Sequence, residues 1–193
     1  MTRATTATLG RWISIGAHPF VLVPLAILVS TLEGGLRVSG PILGVVVAAM
    51  VVLAVFVGRR LRRGEVTDVD ISTRAQRPAF YAVAVACMAS AAIALHFLGQ
   101  GRGAVSGTAV SAGLLAAGAV ANIWVKASLH VAFAALATGI VWGVSVPAVV
   151  SFAVATVLLA WGRVAYGRHT AAEVAVGLVL GTAAAVVYVV LGS

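Results

Sequence analysis

Charge is scarce in this sequence. Only 9% of its 193 residues are charged and five are acidic, while 62% are hydrophobic. A soluble globular domain carries about 25% charged residues, so an ordinary water-soluble fold is excluded. So apolar a chain is equally far from disorder. With a mean hydropathy of +1.11, the chain reads as an integral membrane protein. Lysine is nearly absent too: Lys126 is the one lysine among 13 basic residues. The net charge of +8 suits loops lying against an anionic leaflet. Nucleic-acid binding would need a solvated basic face, and this chain has little soluble surface to carry one. The single cysteine, Cys87, rules out an intrachain disulfide and reads as a small buried hydrophobe within an apolar run.

What the sequence has in quantity is apolar segments of near-spanning length. They cover roughly 12–32, 41–57, 79–98, 104–123, 126–143, 145–161 and 171–191. The expectation is an all-α, polytopic helical bundle in one membrane-embedded domain over 1–193. It has seven transmembrane helices, or six if one segment is re-entrant or interfacial. The first segment is too long for a cleavable signal peptide and has Pro19 and Pro24 inside it. Trp12, Tyr81, Trp124, Trp142, Trp161 and Tyr188 fall near segment ends, as aromatic belts do. With alternating segments, 11 basic residues lie on the side of the N-terminus and two, Arg37 and Arg102, on the other. Positive charge in short loops marks the cytoplasmic side, which places the N-terminus inside. Abundant Arg, Ala, Gly and Val suggests a GC-rich bacterial genome, hence a bacterial plasma membrane.

Three clusters of polar residues map to that same side. The first is Arg163 to Glu173. His169 and Glu173 are four apart, so on one helix face the carboxylate can hold one imidazole nitrogen and leave the other as nucleophile or base. Arg163, on the preceding loop, can fold back as a phosphate clamp. A surface His–Glu pair beside arginines snorkelling to headgroups is the plainer alternative. The second cluster is Lys126-Ala127-Ser128-Leu129-His130, where cation, hydroxyl and imidazole meet a helix start that favours an anion. The third is Arg74-Ala-Gln-Arg77-Pro78, with Pro78 placed to begin a helix. His18 and His96 lie within apolar segments away from these clusters and read as packing residues, though His18-Pro19 could line a groove.

Together the clusters resemble the type 2 phosphatidic acid phosphatase family. Its pattern is Lys-x6-Arg-Pro, then Pro-Ser-Gly-His, then Ser-Arg-x5-His-x3-Asp. Here these become Asp70-x6-Arg77-Pro78, Ala127-Ser128-Leu129-His130 and Gly162-Arg163-x5-His169-x3-Glu173, in the same order. Asp70 stands at the lysine position, so Arg74 or Lys126 would supply that cation. The stretch 79–123 adds a helical hairpin between the first two motifs. The resemblance implies a membrane phosphatase that needs no metal or cofactor and acts on a lipid phosphomonoester or diphosphate, such as a prenyl or polyprenyl phosphate or a phospholipid phosphate. It further implies His169 as nucleophile oriented by Glu173, His130 as acid and base, and Arg74, Arg77, Lys126, Ser128 and Arg163 holding phosphate oxygens.

Two other readings remain open. Asp68-Val-Asp70 is similar in part to the aspartate-rich loop of Mg²⁺-dependent UbiA-type prenyltransferases, which need a second such motif, and too few acids exist elsewhere to form one. A small transporter or non-enzymatic membrane subunit would leave the three clusters without a role.

Overall fold

The computed structural model describes residues 2–33 and 39–192, with Arg3 described by its backbone alone. Arg37, one of the two basic residues assigned to the opposite side, lies outside the described residues. The protein is all-α. Its helices are α1 (Arg3–Gly16), α2 (Pro19–Leu32), α3 (Gly40–Arg62), α4 (Pro78–Phe97), α5 (Arg102–Ala121), α6 (Leu129–Ile140), α7 (Val146–Ala165) and α8 (Ala171–Gly192), with a 3-10 turn at Arg74–Gln76. Among the described residues, five helices are long and apolar enough to cross a membrane: α3, α4, α5, α7 and α8. The bent pair α1–α2 makes a sixth if it forms one span. By length and composition this is a multi-pass membrane protein. Its outer faces agree, since Trp12, Trp124, Trp142, Phe97, Val146, Val179 and Val190 are all exposed, which suits lipid and would aggregate in water.

The expected alternative of six spans fits if the bent pair is one span, and two segments differ in detail. The segment 12–32 is not one straight helix. Pro19 pushes the residue before it out of the α region, so His18 is extended at φ −61, ψ 143 and α1 and α2 meet at 47°. Pro24, by contrast, sits within α2 without ending it. The segment 126–143 is helical for only 12 residues, about 18 Å at 1.5 Å per residue, short of a hydrocarbon core of about 30 Å. Ser128 begins it, and a turn through Gly143 at φ +89 follows it. The aromatic belt also loses a member, because Tyr81 is 2% exposed and packs inside.

The chain groups into two compact units. The first comprises Met1–Arg37 and Val125–Val190, and its core joins Leu22 and Ala26 of α2, Val131, Ala134 and Ala137 of α6, Phe152 and Leu159 of α7, and Val174 of α8. Close approach in this unit depends on glycine. A Cβ on Gly10 would sit 2.8 Å from the Gly162 carbonyl, and one on Gly181 would sit 2.2 Å from the Ala132 carbonyl. Gly177 and Gly181 thus form a GxxxG face that lets α8 lie backbone to backbone on α6. Ser30 Oγ adds a 3.1 Å bond to the Ile140 carbonyl, tying α2 to the end of α6.

The second unit comprises Val38–Trp124 and Leu191–Ser193. Here α3 packs on α4, and α4 on α5. Ser39 caps α3 and also hydrogen-bonds Gln100 in the α4–α5 turn. Cys87, half-buried on α4, faces the Ala49 carbonyl of α3.

Candidate functional site

The first unit gathers most of the sequence-derived candidates at one junction, where α7 ends and α8 begins. Arg163 lies in the last turn of α7, not on a loop as its spacing suggested, because the helix runs on to Ala165. There the chain reverses through a left-handed Gly167 at φ +75. Gly167 N donates to the Val164 carbonyl at 2.9 Å and Arg168 N to the Arg163 carbonyl at 3.0 Å. This pair of bonds is a Schellman cap. His169 N adds a third bond to the Arg163 carbonyl at 3.2 Å, so the backbones of Arg163 and His169 are joined directly.

One residue later α8 starts, and it starts with a capping box. Glu173 N donates to Thr170 Oγ1 at 3.2 Å, while Thr170 N donates back to Glu173 Oε2 at 3.1 Å. The same Oε2 lies 3.1 Å from His169 Nδ1 and 3.7 Å from Lys126 Nζ. A carboxylate at Nδ1 fixes the proton there and leaves the lone pair on Nε2. His169 is 6% exposed and Arg163 1%. Ionisable groups buried this deeply in a membrane protein are costly, which makes them candidates for function.

The second cluster meets the first through the backbone. Ser128 N donates to the Glu173 carbonyl at 3.1 Å, and a Cβ on Gly177 would sit 2.5 Å from the Ser128 carbonyl. Lys126 Nζ donates to the Arg168 carbonyl at 2.8 Å. Ser128 occupies the N-cap position of α6, yet its side chain makes no capping bond. Its Oγ is fully buried and has no hydrogen-bond partner among the described residues. His130, in the first turn of α6, stands edge-to-face with His18, their ring centroids 4.6 Å apart.

His18 adds a helix cap to the packing role expected of it. It is the N-cap of α2, its Nδ1 accepting from Phe20 N at 3.2 Å, and its ring braces His130. The signal was the dipeptide His18-Pro19, since proline pushes the residue before it out of the α region and so breaks the helix. His96 ends α4 against Phe97, apart from these clusters in the chain's other unit.

Arg74 and Arg77 belong to the second unit. Arg74 Nη1 donates to the Ile123 and Trp124 carbonyls at 3.3 and 2.8 Å. Arg77 is buried, its Nε donating to the Ile71 carbonyl at 2.9 Å, and Pro78 begins α4 directly after it. Ile71 holds a left-handed φ of +46, a strain of about 1–3 kcal/mol for a non-glycine residue, and thereby turns its carbonyl to Arg77. The Asp68 carboxylate staples the same loop, accepting from Asp70 N at 3.0 Å and from Ser72 N and Oγ at 3.3 and 3.0 Å.

Comparison with known protein families, with curated proteins and with solved structures finds no match.

Proposed function

We propose that the protein is a membrane phosphatase of the type 2 phosphatidic acid phosphatase kind, hydrolysing a phosphomonoester or diphosphate on a lipid. The observation that carries this reading is the α7–α8 junction. It fixes His169 Nδ1 on the Glu173 carboxylate and joins the His169 backbone to that of the buried Arg163. An imidazole held in that tautomer offers Nε2 to phosphorus, and a guanidinium suits the non-bridging oxygens.

In the first step His169 Nε2 bonds to phosphorus as the bond from phosphorus to the lipid oxygen breaks. His130, protonated, gives its proton to that leaving oxygen. In the second step water attacks the phosphohistidine and His130 takes its proton. The N–P bond breaks, and inorganic phosphate and the original imidazole result. Ser128 Oγ, with no hydrogen-bond partner among the described residues, donates to a phosphate oxygen, and Lys126 and Arg163 stabilise the charge that develops. The lipid substrate follows from the membrane setting, and the positive-inside rule, applied to the sequence, supports a site at the cytoplasmic face of a bacterial plasma membrane.

The test is inorganic phosphate release by detergent-purified protein in EDTA, with His169→Ala measured in parallel. The lipids are phosphatidic acid, phosphatidylglycerol phosphate, farnesyl and longer prenyl diphosphates, and a polyprenyl-linked phosphosugar. Wild type should release phosphate from at least one of them with the metal chelated, and the variant from none. Near-wild-type release by His169→Ala would remove the nucleophile assignment. Silence on every lipid would remove the hydrolase reading.

A further inference from the structure

A second feature lies in the other unit and owes nothing to the phosphatase reading. Between the C-terminal half of α3 and the start of α4 runs a groove of about 770 Å³, within the range of about 300–1,000 Å³ typical of ligand sites. Its floor is apolar, built from Val51, Val55 and Phe56 of α3 and Val83 of α4. Its end is basic, lined by Arg59, Arg60 and Arg63 with a single acid, Glu65.

The local fold explains why charge collects there. Helix α3 ends in a Schellman cap, with Gly64 left-handed at φ +69 and Glu65 N donating to the Arg60 carbonyl at 3.0 Å. That turn brings the Glu65 carboxylate back to Arg60 Nε at 2.8 Å, and to Arg63 at 3.9 Å. One face of the Arg60 guanidinium lies over the Phe56 ring, 5.6 Å from its centroid. Its Nη1, however, is shielded from solvent and has no hydrogen-bond partner among the described residues. A buried guanidinium N–H without an acceptor is costly. Glu65 offsets one of the three positive charges, and Arg59 and Arg63 leave the end of the groove net positive.

We infer that this groove binds an anionic phospholipid, its phosphate on Arg60 with Arg59 and Arg63 beside it, and an acyl chain along the valines and Phe56. Three arginines against one glutamate select a negative headgroup. The apolar floor, continuous with the basic end, selects a lipid over a free anion. Arginine suits the role because its planar fork takes two phosphate oxygens at once.

The experiment is native mass spectrometry of the full chain in a neutral detergent, titrated with phosphatidylglycerol and with phosphatidylcholine of the same acyl chains. Each arginine in contact with an anionic headgroup contributes about a fivefold preference. Wild type should therefore favour phosphatidylglycerol by that factor or more. Arg60→Gln, and independently Arg63→Gln, should lower the preference, and Val55→Trp, which fills the floor, should weaken binding of both lipids. Arg62→Gln removes the same charge from an exposed position off the groove and should leave the preference unchanged. Equal losses for Arg62→Gln and the groove variants would overturn the site in favour of diffuse attraction. So would the absence of any preference in wild type. Saturation by inorganic phosphate, with Val55→Trp behaving as wild type, would leave a free-anion site and overturn the lipid assignment.

Discussion

Replacing Gly177 by alanine tests the contact on which the whole junction rests. The added Cβ would lie 2.5 Å from the Ser128 carbonyl oxygen and 3.1 Å from Ser128 N, both backbone atoms with no flexible end to swing away. Relieving that overlap to an ordinary contact moves the start of α6 off α8 by roughly 1 Å. The same shift breaks the 3.1 Å bond from Ser128 N to the Glu173 carbonyl. Overpacking of this kind costs about 1–3 kcal/mol and the lost hydrogen bond about 1 kcal/mol, against a gain of about 1 kcal/mol for alanine over glycine within a helix. The net expectation is a destabilisation of about 1–3 kcal/mol. The matched control is Gly113→Ala on α5, where the new methyl meets nothing within 4 Å, so only the helix gain should register. Thermal unfolding of both variants in one detergent gives the comparison. Phosphate release gives a second reading, since a misplacement of about 1 Å in a catalytic constellation can cost about 100-fold in rate. Equal melting temperatures for Gly177→Ala and Gly113→Ala would refute the α6–α8 contact and the placement of Ser128 with it.

Glu173→Gln keeps the side chain long enough for the capping box but removes the carboxylate from His169. Phosphate release should fall by about 10²–10⁴-fold with little change in melting temperature, and a loss smaller than tenfold would end the orienting role. His18→Asn keeps an N-cap acceptor for α2 and deletes the ring against His130, so kcat should fall while KM and melting temperature hold. His18→Phe keeps a ring and deletes the cap, at about 1 kcal/mol of stability, and the opposite pattern would show that His18 acts only as a cap. Gly167→Ala forces a side chain into the left-handed position at φ +75, which costs about 1–2 kcal/mol and should lower stability and turnover together. Unchanged values for both would mean that the Schellman cap does not set the position of His169.

The helical, membrane-spanning character is legible because it is a property of composition. Five of the seven apolar segments return as spanning helices with ends shifted by a few residues. The failures are local and have local causes. His18-Pro19 splits the first segment because proline restricts the residue before it, an effect invisible to a hydropathy window. The 126–143 segment is largely apolar, yet Ser128 N is held by the Glu173 carbonyl and the helix begins only at Leu129. Two further signals were present in the letters: Thr170-x-x-Glu173 as a capping box and Gly177-xxx-Gly181 as a helix-contact face. The strained Ile71 was not readable in this way. A β-branched residue is among the last expected at positive φ, and it is held there buried, with its carbonyl on Arg77 six residues on.

The interval between Arg163 and His169 has a mechanical explanation. A Schellman cap needs four residues of helix end, counted from the one whose carbonyl receives the returning bond, then a left-handed residue, then one residue that bonds back. Counting from Arg163, whose carbonyl receives that bond, the left-handed position is Gly167 and the returning residue is Arg168. His169 is the next residue, and the first N-cap the chain can then offer is Thr170. A capping box sets its acid three residues after the cap, which is Glu173, four after His169 and within reach of its Nδ1. The spacing is therefore the shortest route from one helix end to the next helix start that puts a buried arginine, an imidazole and its carboxylate on one rigid turn. Shortening the connection by one residue would delete the left-handed residue or the cap, and lengthening it would free His169 from the Arg163 carbonyl. A chain that conserved these residue types at any other interval would keep the same chemistry in its composition and lose the rigid turn that aims it.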